Sequence, residues 1–260
     1  MRVRGRSAVH RYRHALWLLT SRDLKVRYST SALGYLWSIL DPLLMSLIYW
    51  FVFTQVFHRP AGTEPYIVFL LSGLLPWMWF TGAVSDSTNA FTRSAKLVRS
   101  TSLPRSIWVN RIVLAKGIEF VLSLPVLAVF AIFSGAHLTW YVLLFPVAIL
   151  VQGLLIFGLG LIVAPLVVLF RDLERVVRLV LRILFYASPI IYGTQDLPQA
   201  LQPWAVLNPL SGLFDTYRAA FFPDTWHPWL ALSSAVWAVI FLLLGWLTFS
   251  RLERPVLKEL

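Results

Sequence analysis

The sequence predicts an all-α polytopic membrane protein. It has six transmembrane helices behind an N-terminal amphipathic interface helix, with short re-entrant outer helices between spans 5 and 6. Three observations carry that prediction. Hydrophobic residues make up 58% of the 260 and charged residues only 13%, against roughly 25% charged in a soluble domain. The apolar residues gather in runs near the ~20 that cross a bilayer core. Lys and Arg crowd alternate connections, as an oriented membrane bundle requires.

The runs place spans near 33–57, 66–88, 111–133, 140–169, 178–193 and 229–249. Residues 1–260 then form a single transmembrane domain: a cytoplasmic amphipathic segment over 1–32, a six-span bundle over 33–249, and a cytoplasmic tail over 250–260. With alternating sides, 21 of the 23 Lys and Arg fall on one face, and only Arg59 and Arg218 fall opposite. That bias sets both termini in the cytoplasm of a plasma-membrane protein. It also accounts for the net charge of +11 without a nucleic-acid partner. No cysteine is present, which excludes disulfide and thiolate chemistry. The arginine-rich first ~30 residues do not form a cleavable signal peptide.

The N-terminal segment carries Val9, Tyr12, Leu16 and Leu19 at helical spacing among arginines, the pattern of a helix lying at a membrane surface. Thr20-Ser21-Arg22-Asp23 has capping-box spacing and marks a fresh helix start. Asp41-Pro42 interrupts the first apolar run, and two readings stand. Asp41 is an N-cap with Pro42 in the first helical position, or it is an intramembrane carboxylate facing a pathway; the cap is preferred. Asp86 sits at the end of span 2, and Lys116 and Glu119 are spaced to pair with each other.

Arg93 to Arg105 is short, basic, free of acids and helix-compatible up to Pro104. It serves either as plain positive-inside charge or as a docking element for an acidic groove on a soluble partner. Arg171, Arg175, Arg178 and Arg182 share a helical face at the start of span 5, with Glu174 placed to pair Arg178. Between spans 5 and 6, Asn208-Pro209 reads as a helix start. It is followed by an apolar stripe of Leu210, Leu213, Phe214, Tyr217 and Phe221, with Asp215 and Arg218 off it. This helix dips into the outer leaflet or packs on the bundle.

Chemistry is sparse. The phosphate loop Gly-x4-Gly-Lys-Ser/Thr is absent, as are zinc-protease and serine-hydrolase motifs. The five histidines lie in the tail or in connections and read as solvated, so neither catalytic nor metal-binding residues are expected. Aromatic residues are abundant. Most are interfacial anchors, while Tyr35, Trp37, Tyr49, Trp50, Trp77 and Trp79 are candidates for lining a path.

The motifs Arg22-Asp23-Leu24-Lys25-Val26-Arg27-Tyr28 with Leu33-Gly34-Tyr35-Leu36-Trp37, and Ser72-Gly73-Leu74-Leu75-Pro76-Trp77 with Trp79-Phe80, are joined by Arg171-Asp172-Leu173, Ser188-Pro189 with Tyr192, and Asn208-Pro209-Leu210 with Arg218. In this order they resemble the polysaccharide-exporting ABC permeases, the type-2 exporter subunits for O-antigen, teichoic acid, capsule and mycobacterial-type galactan. The resemblance implies a permease that works as a homodimer with two copies of a separate ATPase subunit, which holds the ATP and Mg, so this chain carries no cofactor. It implies an interface helix with Arg22, Asp23, Lys25, Arg27 and Tyr28. It implies a coupling segment with Arg93, Lys96, Leu97, Arg99, Leu103, Pro104 and Arg105. An outer gate would contain Asn208, Pro209, Phe214, Tyr217 and Arg218. A channel at the two-fold axis is expected along Tyr35, Trp37, Asp41, Tyr49, Trp50, Tyr186 and Tyr192. The cargo would be a lipid-linked polysaccharide. Two departures stand: Asp41 replaces the family's usual Asn, and Leu103 its usual aromatic. Rival readings are an ABC permease for lipids or drugs, and an integral-membrane glycan-modifying enzyme, which would need carboxylates converging on one pocket.

Overall fold

The computed structural model describes residues 8–28, 34–56 and 62–259. Arg2, Arg4, Arg6, Leu33, His58 and Arg59 lie outside the described residues, as do the side chains of Tyr28 and Tyr35. The described chain is helical, with nine α-helices: α1 Ala8–Tyr28, α2 Trp37–Phe51, α3 Tyr66–Ser87, α4 Ala95–Ser100, α5 Ile107–Phe133, α6 Phe145–Leu169, α7 Leu173–Ala187, α8 Ser211–Arg218 and α9 Pro228–Glu259.

Among the described residues, five stretches are long and apolar enough to cross a membrane: Ile39–Val56, Tyr66–Ser87, Ile107–Phe133, Trp140–Leu169 and Pro228–Glu259. The protein is therefore an integral membrane protein. The apolar run at 178–193 differs from its expected form. Its helix, α7, has 15 residues, about 22 Å at 1.5 Å per residue, short of the ~30 Å hydrocarbon core. Beyond Ala187 the chain is irregular.

The bundle is built around α3, which is hydrophobic on every side; 83% of its span is buried, against 11% for Ile39–Val56. Gln152 of α6 donates to the Pro76 carbonyl of α3 (2.8 Å), a polar clamp between helices of the kind that serves where the surroundings are apolar. The closest helix pair is α6 with α9. Gly158 meets the α9 backbone so closely that a Cβ there would lie 2.6 Å from Leu242 N, and Gly245 faces the Gly158 carbonyl in the same way. At one end of the bundle lie α1, α4, the start of α5 and the end of α9, with most of the cations; this is the basic end. Helix α8 lies at the opposite end.

Several expectations are corrected. Helix α1 runs unbroken through Thr20, which is fully buried, so no new helix starts there. Tyr12, Leu16 and Leu19 pack on the core, whereas Val9 is exposed. Asp41 is not an N-cap. A 3-10 turn at Gly34–Leu36 leads directly into α2, placing Asp41 and Pro42 inside the helix. The basic segment forms a 3-10 turn over Thr92–Ser94 and then α4, which ends at Ser100, well before Pro104. Helix α8 starts at Ser211 rather than at Asn208-Pro209; Asn208 instead accepts a bond from the Leu210 amide (3.0 Å).

Candidate coupling face and transport groove

At the basic end, α5 ties two other elements together through Arg111. Its guanidinium donates to the Asp23 carboxylate of α1 (2.9 Å) and to the Ser94 hydroxyl before α4 (2.9 Å), and it lies over the Trp108 ring at 4.9 Å. Burial pushes the Asp23 carboxyl above its usual range, with Arg111 opposing that shift. Removing one partner of a buried pair strands the other charge. Arg111→Met is therefore expected to cost about 2 kcal/mol, read as a lower thermal midpoint of the detergent-purified chain. Asp23→Asn, which keeps a hydrogen-bond acceptor, is expected to cost less than half as much.

A second network lies beside the first. Arg27 reaches Asp86 of α3 (2.8 Å) and Glu119 of α5 (3.2 Å). Lys116 pairs with Glu119 (2.9 Å), as its spacing predicts, and Arg93 approaches Asp86 at 3.8 Å. The sequence paired Lys116 with Glu119 but treated Arg27 and Asp86 as separate features; the fold brings all four together. For Arg27 and Asp86 the signal was charge at the edges of apolar runs, which carries no partner information.

Helix α4 presents an amphipathic surface. Val98 is buried and Leu97 packs on the core, while Lys96 and Arg99 are exposed, as is Arg93 just before the helix. Leu103 is half-buried, Pro104 exposed, and Arg105 lies 3.9 Å from Glu253 of α9. The result is a cationic patch anchored by one apolar side. Arg22 and Lys25 on α1 are also exposed.

The expected path-lining residues divide. Trp37 and Asp41 line a cavity of about 410 Å³ bounded by Arg27, Lys116 and Glu119. Tyr49 and Tyr186 line a separate groove of about 520 Å³ between α2, α3 and α7, with Trp77, Phe185, Arg178 and Arg182. Arg178 is paired with Glu174, as its spacing predicts. Trp50 lines neither space. Tyr192 donates its hydroxyl to the Tyr186 carbonyl (3.0 Å) at the end of α7. Trp77, a path candidate from the sequence, lines this groove, and Trp79 lines the first cavity. Phe185, whose ring lies 5.6 Å from that of Trp77, was missed in the sequence because it looks like an ordinary core residue.

At the opposite end, residues 211–220 are buried throughout. Arg218, only 2% exposed, donates to the carbonyls of Pro189 (2.7 Å), Ile190 (2.7 Å), Tyr192 (3.3 Å) and Phe69 (3.4 Å). Its guanidinium lies 3.7 Å from the Phe69 ring centroid. Gly73 makes room for it, since a Cβ there would lie 2.8 Å from Nη2. Burial pulls Arg218 down to about 9, which leaves it charged at neutral pH. Asn208 donates to Ser188 Oγ (2.9 Å) and to the Ala187 carbonyl (3.3 Å). Asn208 thus satisfies an acceptor that the end of α7 leaves open, while Arg218 satisfies the carbonyls of the irregular stretch beyond it and sets a cation where the α7 dipole favours one. Phe214 and Tyr217 are fully buried beneath them and Pro209 is half-buried. Asp215, pushed up by burial, accepts from the His227 amide (2.7 Å); His227 is therefore bound to the bundle rather than simply solvated.

Among the described residues no group of His, Cys, Asp and Glu could hold a metal ion. What the arrangement offers is two surfaces, a cationic patch linked to α1 and α5, and an aromatic groove flanked by α7.

Residues 14–222 match the ABC-2 type transporter family. The chain is an ABC-2 type transporter. This membership places it among transporter membrane components rather than enzymes. Over 212 residues the ABC-2 chain is 36% identical to the O-antigen export system permease protein RfbA of Klebsiella pneumoniae, covering 81% of each protein. It is 34% identical to the protein of the same name from Myxococcus xanthus over 232 residues, 87% of this chain and 88% of that one. The polysialic acid transport protein KpsM of Escherichia coli is 24% identical over 246 residues, 92% of this chain and 93% of that protein. The family match ends just after α8, so the region this transporter shares with its family includes Arg218 and its carbonyl partners.

Proposed function

We propose that the chain is the membrane-channel subunit of an ATP-driven exporter. Its cargo is a lipid-linked polysaccharide of O-antigen, teichoic-acid or galactan type, moved from the cytoplasm to the outer side of the plasma membrane. The observation that carries this reading is similarity to O-antigen export permeases along four-fifths of the chain. The basic end faces the cytoplasm, by the distribution of Lys and Arg. The path crosses the membrane a sixth time along α7 and the irregular residues after it. Two copies form the channel between their α2 and α7 faces, and the groove of Tyr49, Trp77 and Tyr186 contributes aromatic faces that suit sugar rings.

ATP and Mg belong to a separate ATPase subunit in a 2:2 complex. The patch of Arg93, Lys96 and Arg99 seats on that subunit. Arg111 passes its displacement to α5 through Ser94, and onward to α1 through Asp23. ATP binding then biases the permease between two states through the contacts that differ between them.

The test is co-purification of the full chain with the ATPase encoded beside it. A 2:2 complex is expected for the native chain. The triple variant Arg93→Glu, Lys96→Glu, Arg99→Glu is expected to abolish the complex while keeping the chain's own thermal midpoint, because all three side chains are exposed. A chain that purifies alone with a candidate ATPase present would overturn the reading.

A further inference from the structure

We propose that the groove between α5 and α6 is a site for one anionic phospholipid of the leaflet at the basic end. The groove has a volume of about 640 Å³. It stays open because Gly117 and Gly153 carry no side chains where α5 and α6 pass Trp79, whose indole forms the floor; a Cβ would lie 3.2 Å and 3.6 Å from that ring, respectively. The floor is held rigid. Trp79 stacks on Phe120 at 5.3 Å and donates its indole N–H to the Val113 carbonyl (3.2 Å).

The site has direction. From Asn110 to Leu122 the groove follows α5 for about 18 Å, the distance from the headgroup level to roughly the bilayer midplane. Its lining is apolar except at the basic end, where Asn110 donates to the Tyr12 hydroxyl of α1 (3.1 Å). Tyr12 is flanked by Arg11 and Arg13, both exposed, and no acidic residue precedes Asp23 in the chain. An acyl chain fills the groove while a phosphate-bearing headgroup meets these cations, which attract it at about 1 kcal/mol each near a membrane surface. The second copy of the chain is assigned to the α2 and α7 faces under the proposed function, on which this choice rests, and the cations beside the groove select an anionic lipid as its occupant.

The experiment is native mass spectrometry of the full chain released from nanodiscs holding equal phosphatidylglycerol and phosphatidylethanolamine. One retained phospholipid per chain is expected, with about a thirty-fold preference for phosphatidylglycerol from the two arginines. Gly153→Leu and Leu150→Trp, which fill the groove from floor and rim, are expected to lose retention of both lipids. Circular dichroism and elution volume check that each variant remains folded. Arg11→Gln with Arg13→Gln is expected to keep a lipid and lose the preference. Equal retention of the two lipids by the native chain, or unchanged retention in both filled variants, would overturn the proposal. So would a change in oligomeric mass on filling the groove, since that would give it to a second copy.

Discussion

Replacing Arg218 with methionine is expected to be among the most damaging single changes in this protein. Methionine keeps much of the side-chain volume and removes every donor. The carbonyls of Pro189, Ile190 and Tyr192 lose their side-chain donor at once, and that of Phe69, which also accepts from Ser72 Oγ (2.8 Å), loses one of its donors. Hydrogen bonds to a charged group contribute about 1.5–3 kcal/mol each, and acceptors left buried and unmatched add a further cost. The bonds are not additive, because two of the four are long. A loss of about 4 kcal/mol is the expected result, seen as a large drop in thermal midpoint in detergent and loss of the purified folded chain. Arg218→Lys keeps the charge but not the planar fork that spans several carbonyls, so it is expected to retain about half of that stability. If Arg218→Met melted within a degree or so of the native protein, water would be satisfying these carbonyls and the buried geometry would be wrong.

The second large effect is expected at the crossing of α6 and α9. Gly→Ala in an isolated helix is favourable by about 1 kcal/mol. At Gly158 the sign is expected to reverse, because the new Cβ meets the α9 backbone at 2.6 Å, and backbone cannot rotate away as a side chain can. Gly158→Val is expected to destabilise by about 3 kcal/mol and Gly158→Ala by less. Gly245 faces the same point from the other helix, so Gly158→Ala and Gly245→Ala together are expected to cost clearly less than the sum of the two. Thermal midpoints of the two single variants and the double variant provide the check. Additive losses would mean that the glycines act at separate places.

The class of fold was open to reading because composition and run length respond to the bilayer directly. Five of the six apolar runs correspond to helices long enough to span. The exception, 178–193, fails for a reason invisible to hydropathy. Ser188-Pro189 ends the helix early, and the residues beyond it remain apolar without being helical. Local pairs were also legible: Lys116 with Glu119, and Glu174 with Arg178, meet within one helix turn. Pairs between helices were not. Nothing in the spacing of Arg27, Asp86 and Arg111 relates them to Glu119 or Asp23, because which helices touch is set by packing. Asp41 shows a different failure. The residue pair Asp-Pro is a good cap by local propensity, but a 3-10 turn ending five residues earlier had already started the helix. Arg218 was marked by resemblance, and its four acceptors were beyond the reach of sequence.

Those acceptors have a consequence for how the chain is made. The carbonyls of Pro189, Ile190 and Tyr192 belong to a stretch with no helix to absorb them, and the group that absorbs them lies 28 residues later than Ile190. During synthesis the bend must therefore enter the bilayer before its template exists. It waits at the water boundary, or with water carried along, until α8 arrives. The shape of this part of the wall is written in a later sentence of the chain, so a polypeptide ending before Arg218 would hold most of its spans and still lack the bend.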